Sequence, residues 1–232
     1  MSATRLTFYQ TTIGKKVVMA LSGVVLIGFV IVHMLGNLQI LQELVAPGKG
    51  ATALNDYAAF LHSMPDVVWA ARLVLLGAVA AHAWSGISLV RQNRAARPVA
   101  YARQECQATT MAARTMKWGG LTLLAFIVFH LLHLTCGLIP GFAPNMTDDG
   151  RLDVYRNVVS GFQSPAVAGF YVVAQAFLGL HLYHGVWSML QTLGLSRPRV
   201  NAWRVKAATA VAVVVAVGNI SIPVAVLAGL LK

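Results

Sequence analysis

Six histidines lie inside stretches of the chain that contain no charged residue, and they are the side chains with the clearest capacity for chemistry. They are His33, His82, His130, His133, His181 and His184. Ionisable groups inside a bilayer are costly and usually functional, so each of these imidazoles needs a ligand or a partner. Neutral imidazole is an axial ligand of haem iron, and two imidazoles on one iron give a centre that carries electrons. Four apolar segments with histidine therefore match the needs of two six-coordinate haems.

The stretches that position these histidines are long enough to cross a membrane. Five charge-free runs occupy residues 17–42, 73–90, 118–147, 157–196 and 207–231. Each holds at least 18 residues, close to the roughly 20 that an α-helix needs to cross the hydrocarbon core. With 57% hydrophobic and only 11% charged residues, the composition predicts an all-α polytopic membrane protein. We expect a single transmembrane domain over residues 1–232, a bundle of five helices at about 17–41, 67–90, 118–139, 166–193 and 205–231.

Two shorter segments and one cysteine complete the predicted structure. Residues 53–62 have helical periodicity, and residues 151–162 are expected to form a short surface helix. The fifth long helix has no histidine and is assigned to packing. Cys136 is expected to be an inert buried thiol, and the absence of Cys-x-x-Cys-His excludes covalent attachment of a c-type haem.

The distribution of cations predicts the orientation in the membrane. Thirteen Lys and Arg residues fall in the N-terminal tail and in the connections between helices 2 and 3 and between helices 4 and 5, whereas four fall on the other side. The positive-inside rule then places the N-terminus in the cytoplasm and the C-terminus outside. The net charge of +11 is therefore a topology signal and does not indicate nucleic-acid binding. The first apolar run is too long for a signal peptide and lacks a cleavage site, so we expect a first membrane helix there.

Counting from the charged ends places the histidines at two depths. At about 1.5 Å per residue, His33 of helix 1 and both His130 and His133 of helix 3 fall in the outer half of the bilayer. His82 of helix 2 and both His181 and His184 of helix 4 fall in the inner half. A flat macrocycle between helices also needs small residues beside its ligands. Glycines follow the histidines by three or four residues at Gly36, Gly86, Gly137 and Gly185.

Other chemistry explains these histidines less well. One membrane histidine is readily explained by a hydrogen bond to a neighbouring helix, but six at paired depths are not. A zinc or di-iron site would use several ligands at one level, usually with carboxylates. None of the seven acidic residues lies within a predicted span. The same absence counts against a proton pump or a cation transporter.

Seven short motifs follow one another along the predicted helices. They are Gly14-Lys-Lys16, His33-Met-Leu-Gly-Asn37, His82-Ala-Trp-Ser-Gly86, Phe129-His-Leu-Leu-His133, Ser164-Pro-Ala166, Gly169-Phe-Tyr171 and His181-Leu-Tyr-His-Gly-Val-Trp187. In this order the chain resembles the membrane-anchor subunit of succinate:quinone oxidoreductases. The similar type is the five-helix, di-haem cytochrome b558 of bacterial succinate dehydrogenases and fumarate reductases. The resemblance covers essentially the whole chain.

The resemblance implies one haem ligand from each of the first four helices. His33 with His130 would hold the outer haem b, and His82 with His181 the inner haem b. His133 and His184, three residues further on in helices 3 and 4, remain alternative ligands or partners of the propionates or the quinone. The spacing of the glycines slightly favours His133 in helix 3.

The resemblance also implies partners and a place in the cell. A flavoprotein subunit with FAD and the dicarboxylate site, and an iron–sulfur subunit, would dock on the cytoplasmic face. The chain would pass electrons between the clusters and menaquinone or another quinone in the bacterial cytoplasmic membrane, as the membrane subunit of respiratory complex II in the tricarboxylic acid cycle. A higher oligomer of the complex is compatible with this. The chain itself has no FAD-binding glycine motif and no cluster-ligating cysteine set.

The quinone site and two other functions stay open. His62, Asp66 and Arg72, at the outer end of helix 2, are candidates for the quinone, although a solvated loop and an arginine directed to the membrane interface explain them as well. The second function is a di-haem cytochrome b that serves another dehydrogenase, such as a hydrogenase or formate dehydrogenase. The third is a small-solute transporter that uses histidines for hydrogen bonding.

Overall fold

The computed structural model describes residues 7–96, 99, 110–139, 141–195 and 201–232, and within these ranges the structure is helical and has no strand beyond one isolated bridge. The helices are α1 Thr12–Asn37, α2 Lys49–His62, α3 Pro65–Ala95, α4 Met111–His130, α5 Val154–Phe162, α6 Pro165–Thr192 and α7 Asn201–Leu227. A 3-10 segment, Leu38–Leu44, continues α1, and a π turn, Leu131–Thr135, continues α4. Five helices, α1, α3, α4, α6 and α7, are long and apolar enough to cross a membrane. The all-α class and the five membrane-crossing helices are therefore confirmed.

Helix capping explains why two spans begin earlier than charge patterning suggested. The Thr11 hydroxyl accepts a hydrogen bond of 2.9 Å from the backbone N–H of Gly14, so α1 begins before the two lysines. The Thr110 hydroxyl caps α4 in the same way, 3.2 Å from the N–H of Ala113. Proline occupies the first turn of α3 and of α6, where its missing N–H costs nothing. The third span ends at Thr135 instead of 139, and Gly137 with φ of +62° reverses the chain after it.

The long helices pack around α6, which contacts α1, α4 and α7. On the other side of α1 lies α3, whose outward face is apolar and exposed. Leu73 and Leu76 are 66% and 68% exposed, which suits side chains that face lipid tails. The fifth span, α7, packs mainly on α6.

The two short helices, α2 and α5, cover one end of the bundle, called the outer end after the predicted topology. The α5 helix is not a surface helix as expected, because six of its nine residues are buried. Asn55 of α2 holds α5 in place, because the Asn55 amide donates to Asp153 Oδ1 and accepts from the N–H of Tyr155, both at 3.0 Å. Asp153 also caps α5 by accepting from the N–H of Arg156. Burial, followed by the nearby charge of Glu43, raises the pKa of the Tyr155 phenol.

Two further expectations about single residues need correction. Cys136 is exposed, because the helix that would bury it has already ended. Cations assigned to the N-terminal tail and to the inner connections lie instead within the first or last two turns of the spans, namely Lys15, Lys16, Arg91, Arg94, Arg114, Lys117, Arg204 and Lys206. Arg5, Arg97, Arg103, Cys106, Arg197 and Arg199 lie outside the described residues. The orientation of the chain in the membrane stays a prediction.

Candidate metal centre

The structure brings four histidines together as two facing pairs. The ring centroids of His33 on α1 and His130 on α4 are 5.8 Å apart, with the ring planes at 84°. Those of His82 on α3 and His181 on α6 are 6.0 Å apart, at 52°. The His82 ring lies 3.0 Å from the carbonyl oxygen of Met19 on α1. Met19 precedes His33 by 14 residues, which is about 21 Å of helix. The two pairs thus lie at two levels of the bundle.

The separation within each pair fits one metal ion bound between two imidazoles. Metal–imidazole bonds of about 2.0 Å on opposite sides of an ion place the ring centroids about 6 Å apart. The helices of a pair do not pack extensively on each other, neither α1 on α4 nor α3 on α6 in the described part of the chain. The imidazoles therefore approach each other between backbones that are kept apart, as a flat macrocycle between two helices requires. The donors, neutral imidazoles in apolar surroundings, are also those that haem iron takes.

The described histidines meet in pairs and not in larger clusters. No group of three or more His, Cys, Asp or Glu side chains comes together in the described residues. A zinc or di-iron site would need such a group. Two protein ligands are enough for a metal whose remaining positions are filled by a porphyrin.

Hydrogen bonding leaves one nitrogen of His82 free for a metal. Its Nδ1 lies 3.0 Å from the carbonyl oxygen of Met19, which can only accept, so Nδ1 carries the proton and donates. Nε2 then has a free lone pair. The Ser22 hydroxyl, 3.3 Å from the same Nδ1, gives a second contact with α1. Nδ1 of His181 is buried without a hydrogen-bond partner among the described residues.

The two histidines of the third span, His130 at the end of α4 and His133 in the π turn, differ in their surroundings. His130 faces His33, whereas His133 is 1% exposed and packs against Phe142, with ring centroids 4.7 Å apart. A methyl group at Gly161 of α5 would lie 2.9 Å from Cε1 and Nε2 of His133. The backbone of α5 therefore blocks the side of the His133 ring that a metal would need.

A π turn begins directly after His130, and the two rings have different neighbours. Residues three apart on an α-helix share a face. The Cys136 N–H donates to the carbonyl of Leu131, an i to i+5 bond of 2.8 Å. This wider turn advances by less rotation per residue than an α-helix, and His133 packs on α5 while His130 faces His33.

His33 and His184, two other histidines of the prediction, are less enclosed than His133. His33 is exposed at the rim of the outer pair, and its Nε2 lies 3.3 Å from the amide nitrogen of Asn37. The amide donates, so Nε2 carries no proton, and a metal bound at Nε2 would replace this hydrogen bond. His184 is half-buried beside Trp187, 6.5 Å between ring centroids, and faces no second imidazole in the described structure.

The glycines beside the imidazoles are not the expected set. Gly36 receives the ring of Tyr57, 2.5 Å from the position of a methyl group, and Gly137 receives Pro144. Of the four expected glycines, Gly86 and Gly185 border open space. The glycines that approach the inner pair are instead Gly23, 3.5 Å from His82 Cε1, and Gly120, 3.9 Å from His181 Cε1. The glycine spacing therefore gives no support to His133 as a ligand.

The three quinone candidates are not assembled into a pocket. His62, Asp66 and Arg72 are all exposed, and the Arg72 guanidinium lies over the Trp69 ring at 4.9 Å. Within the described ranges the ion pairs are elsewhere, between Arg151 and Asp149 and between Arg156 and Asp153. Quinone binding at these residues stays a prediction.

A buried cation at the inner end was not anticipated from the sequence. Arg204 of α7 is 3% exposed, and its Nε and Nη1 have no hydrogen-bond partner in the described structure. Its guanidinium lies over the Trp187 ring of α6 at 5.2 Å. A buried charge without a counter-ion is costly, so this group needs an anion.

Comparisons of the chain with models of protein families, with curated proteins and with solved structures give no match. The functional argument therefore depends on the residues of this chain and on their geometry.

Proposed function

We propose that the chain is the membrane-anchor di-haem cytochrome b subunit of a succinate:quinone oxidoreductase, a respiratory complex II. The observation that carries the proposal is the meeting of imidazoles in two pairs, each with a centroid separation near 6 Å, on four membrane-crossing helices. The ordered motifs along the chain add the resemblance to the cytochrome b558 type.

Each part of the proposed site has residues suited to it. His33 and His130 would be the axial ligands of the outer haem, and His82 and His181 those of the inner haem. The haem supplies one-electron redox chemistry when it is bound. The Met19 carbonyl orients the His82 ring.

Arg204 suits a carboxylate of the inner haem. It packs on Trp187, six residues or about 9 Å of helix from His181 towards the inner end. We expect Arg204→Gln to weaken retention of the inner haem only, measured as haem lost per complex during detergent washing. Lys206→Gln, an exposed neighbour on the same helix, is the control and should retain both haems.

The inner end also suits the proposed partner subunits. Exposed cations lie there on four spans, at Lys16, Arg94, Lys117 and Lys206. A positive face of this kind favours docking of a protein with a negative surface. The proposed partners are an iron–sulfur subunit and, beyond it, a flavoprotein with FAD, and the electron acceptor is a quinone in the bacterial cytoplasmic membrane.

The first experiment is a reduced-minus-oxidised spectrum of the complex purified with its partner subunits. We expect a b-type α-band and two haems per chain, and succinate alone should reduce the haem. A colourless chain, or a single haem, contradicts the proposal. Reduction by hydrogen or formate but not by succinate would favour the cytochrome of another dehydrogenase.

The ligands are tested by matched alanine variants within one helix. We expect His130→Ala to remove the outer haem, because it takes away one of two axial ligands, and His133→Ala to retain it. His181→Ala and His184→Ala form the second matched pair, with loss of the inner haem from the first only. Haem content and the α-band of each variant are the measurements. Loss from His133→Ala without loss from His130→Ala would show that the ligand in α4 is misassigned.

A further inference from the structure

A tyrosine hydroxyl joins the two histidines of the third span. Oη of Tyr171, on α6, lies 3.2 Å from Nδ1 of His130 and 3.0 Å from Nδ1 of His133. Tyr171 is 5% exposed, so bulk water does not compete for these bonds. Aromatic rings hold the phenol in place, since Phe162 and Phe126 meet it edge to face at 4.8 and 5.0 Å.

Counting hydrogens fixes the direction of both bonds. A tyrosine hydroxyl has one hydrogen and can donate to only one of the two imidazoles. If Nε2 of His130 binds iron, its neutral ring carries the proton on Nδ1 and must donate to Oη. The hydroxyl hydrogen is then directed to Nδ1 of His133, which accepts.

We infer that Tyr171 and His133 are positioning residues for the outer haem, through the hydrogen-bond chain from His130 Nδ1–H to Tyr171 Oη–H to His133 Nδ1. The inference rests on the proposed function, because it concerns the ligand that the function assigns to His130. The chain sets the tautomer and the orientation of the His130 ring. It also gives His133, which α5 keeps from a metal, a reason to be buried beside the ligand.

The chain also changes the donor strength of the ligand. An imidazole whose second N–H donates a hydrogen bond is a more basic metal ligand. A more basic ligand stabilises the oxidised iron and lowers the midpoint potential. Donation from Tyr171 to His133 strengthens the acceptor that His130 uses, because linked hydrogen bonds polarise one another.

The two proposed haems differ in the kind of group that accepts a hydrogen bond from their ligand. His82 donates to the backbone carbonyl of Met19, which no side-chain substitution removes. His130 donates to a side chain, so its hydrogen bond can be deleted without touching either ligand. This difference makes the inference testable within one complex.

The test is a redox titration of the assembled complex that carries Tyr171→Phe. We expect the oxidised-to-reduced ratio of the outer haem to fall about fivefold at a fixed potential. That is a rise of about 40 mV in midpoint potential, since a tenfold change is 59 mV for a one-electron couple. The midpoint potential of the inner haem should not change. The electron paramagnetic resonance signal of the outer haem should change as well, because the orientation of the His130 ring is no longer fixed.

Tyr183→Phe is the matched control. Tyr183 lies on the same helix, half-buried, and its hydroxyl makes no hydrogen bond within the described residues. We expect the outer haem of this variant to keep its potential. An equal shift in both tyrosine variants would overturn the inference.

If Tyr171→Phe does not retain the outer haem, a second pair of variants tests the inference. His133→Leu removes the acceptor of the hydroxyl hydrogen and should raise the potential in the same direction. His133→Gln keeps an oxygen acceptor, so the midpoint potential of its outer haem should lie close to that of the wild type. Two haems with unchanged potentials in both Tyr171→Phe and His133→Leu would overturn the inference and leave the proposed function standing. Absence of haem from the wild-type complex would overturn the proposed function itself.

Discussion

The surroundings of single rings separate two histidines that look equivalent in the sequence. His130 faces His33 across a gap that suits one metal ion, whereas His133 is enclosed by Phe142 and the backbone at Gly161. The His133 ring fits there because residue 161 is a glycine and has no side chain. A glycine that receives a buried ring in this way contributes to packing more than to backbone freedom.

Gly161→Ala should therefore destabilise the protein by displacing His133. The added methyl group would lie 2.9 Å from two ring atoms, and overpacking of this kind costs about 1–3 kcal/mol. Thermal unfolding in detergent, followed by circular dichroism, measures the effect.

Gly77→Ala is the control for this variant. Nothing lies within 4 Å of a methyl group at this exposed position of α3, so the substitution should be neutral or slightly stabilising. A Gly161→Ala protein as stable as Gly77→Ala would show that the His133 ring is free to move.

At the scale of helices, the sequence predicts the spans well and their ends and connections less well. Charge-free runs of sufficient length predicted five membrane-crossing helices, and the described residues form five helices that are long and apolar enough. The ends differ because a capping hydroxyl such as Thr110 starts a helix before the charge-free run begins. The burial of α5 was missed, because it depends on Asn55, almost a hundred residues away in the chain.

The candidate site could be predicted only as far as residue type and depth allow. Depth pairs helix 1 with helix 3 and helix 2 with helix 4, the resemblance selects His130 and His181 within them, and in the structure the ring centroids of these pairs are 5.8 and 6.0 Å apart. The choice within α4 could not be made from α-helical periodicity, because the π turn changes the rotation between His130 and His133. The roles of Tyr171 and of the Met19 carbonyl had no local signal, since both depend on contacts between helices.

The attachment of α5 to α2 gives a prediction at this scale. Asn55→Leu removes a donor to Asp153 and an acceptor for the N–H of Tyr155, and it leaves both groups partly buried. Loss of such bonds costs about 1–3 kcal/mol, so the outer end should open and become sensitive to protease.

Limited proteolysis from the outer end measures this opening. Asp56→Leu, at the adjacent exposed position of α2, is the control and should be cleaved no faster than the wild type. Equal protection of Asn55→Leu and Asp56→Leu would show that the Asn55 bonds do not hold α5.

For the whole molecule, an odd number of membrane-crossing helices places the two termini on opposite sides of the membrane. The outer end carries α2, α5 and the turn at residues 147–150. The inner end carries most of the described cations. This orientation sets the directions from which the proposed partner subunits and the proposed quinone would reach the chain.

Single-cysteine labelling tests the orientation. In a Cys106→Ser, Cys136→Ser background, Asp148→Cys should react with a membrane-impermeant maleimide in intact cells. Arg94→Cys should react only after the membrane is permeabilised, because the positive-inside rule puts it in the cytoplasm. The reverse pattern would invert the molecule and move the proposed docking face to the outside.

The π turn of the third span has a consequence for how the length of this helix can vary. A π turn is an α-helix with one residue inserted, so losing any one residue between Leu131 and Thr135 would rewind the segment without breaking it. His130 lies ahead of the turn and would keep its place, whereas a different residue would come to lie where His133 now meets Tyr171. A change of length at this point would therefore remove the buried partner of Tyr171 before it reached the proposed ligand.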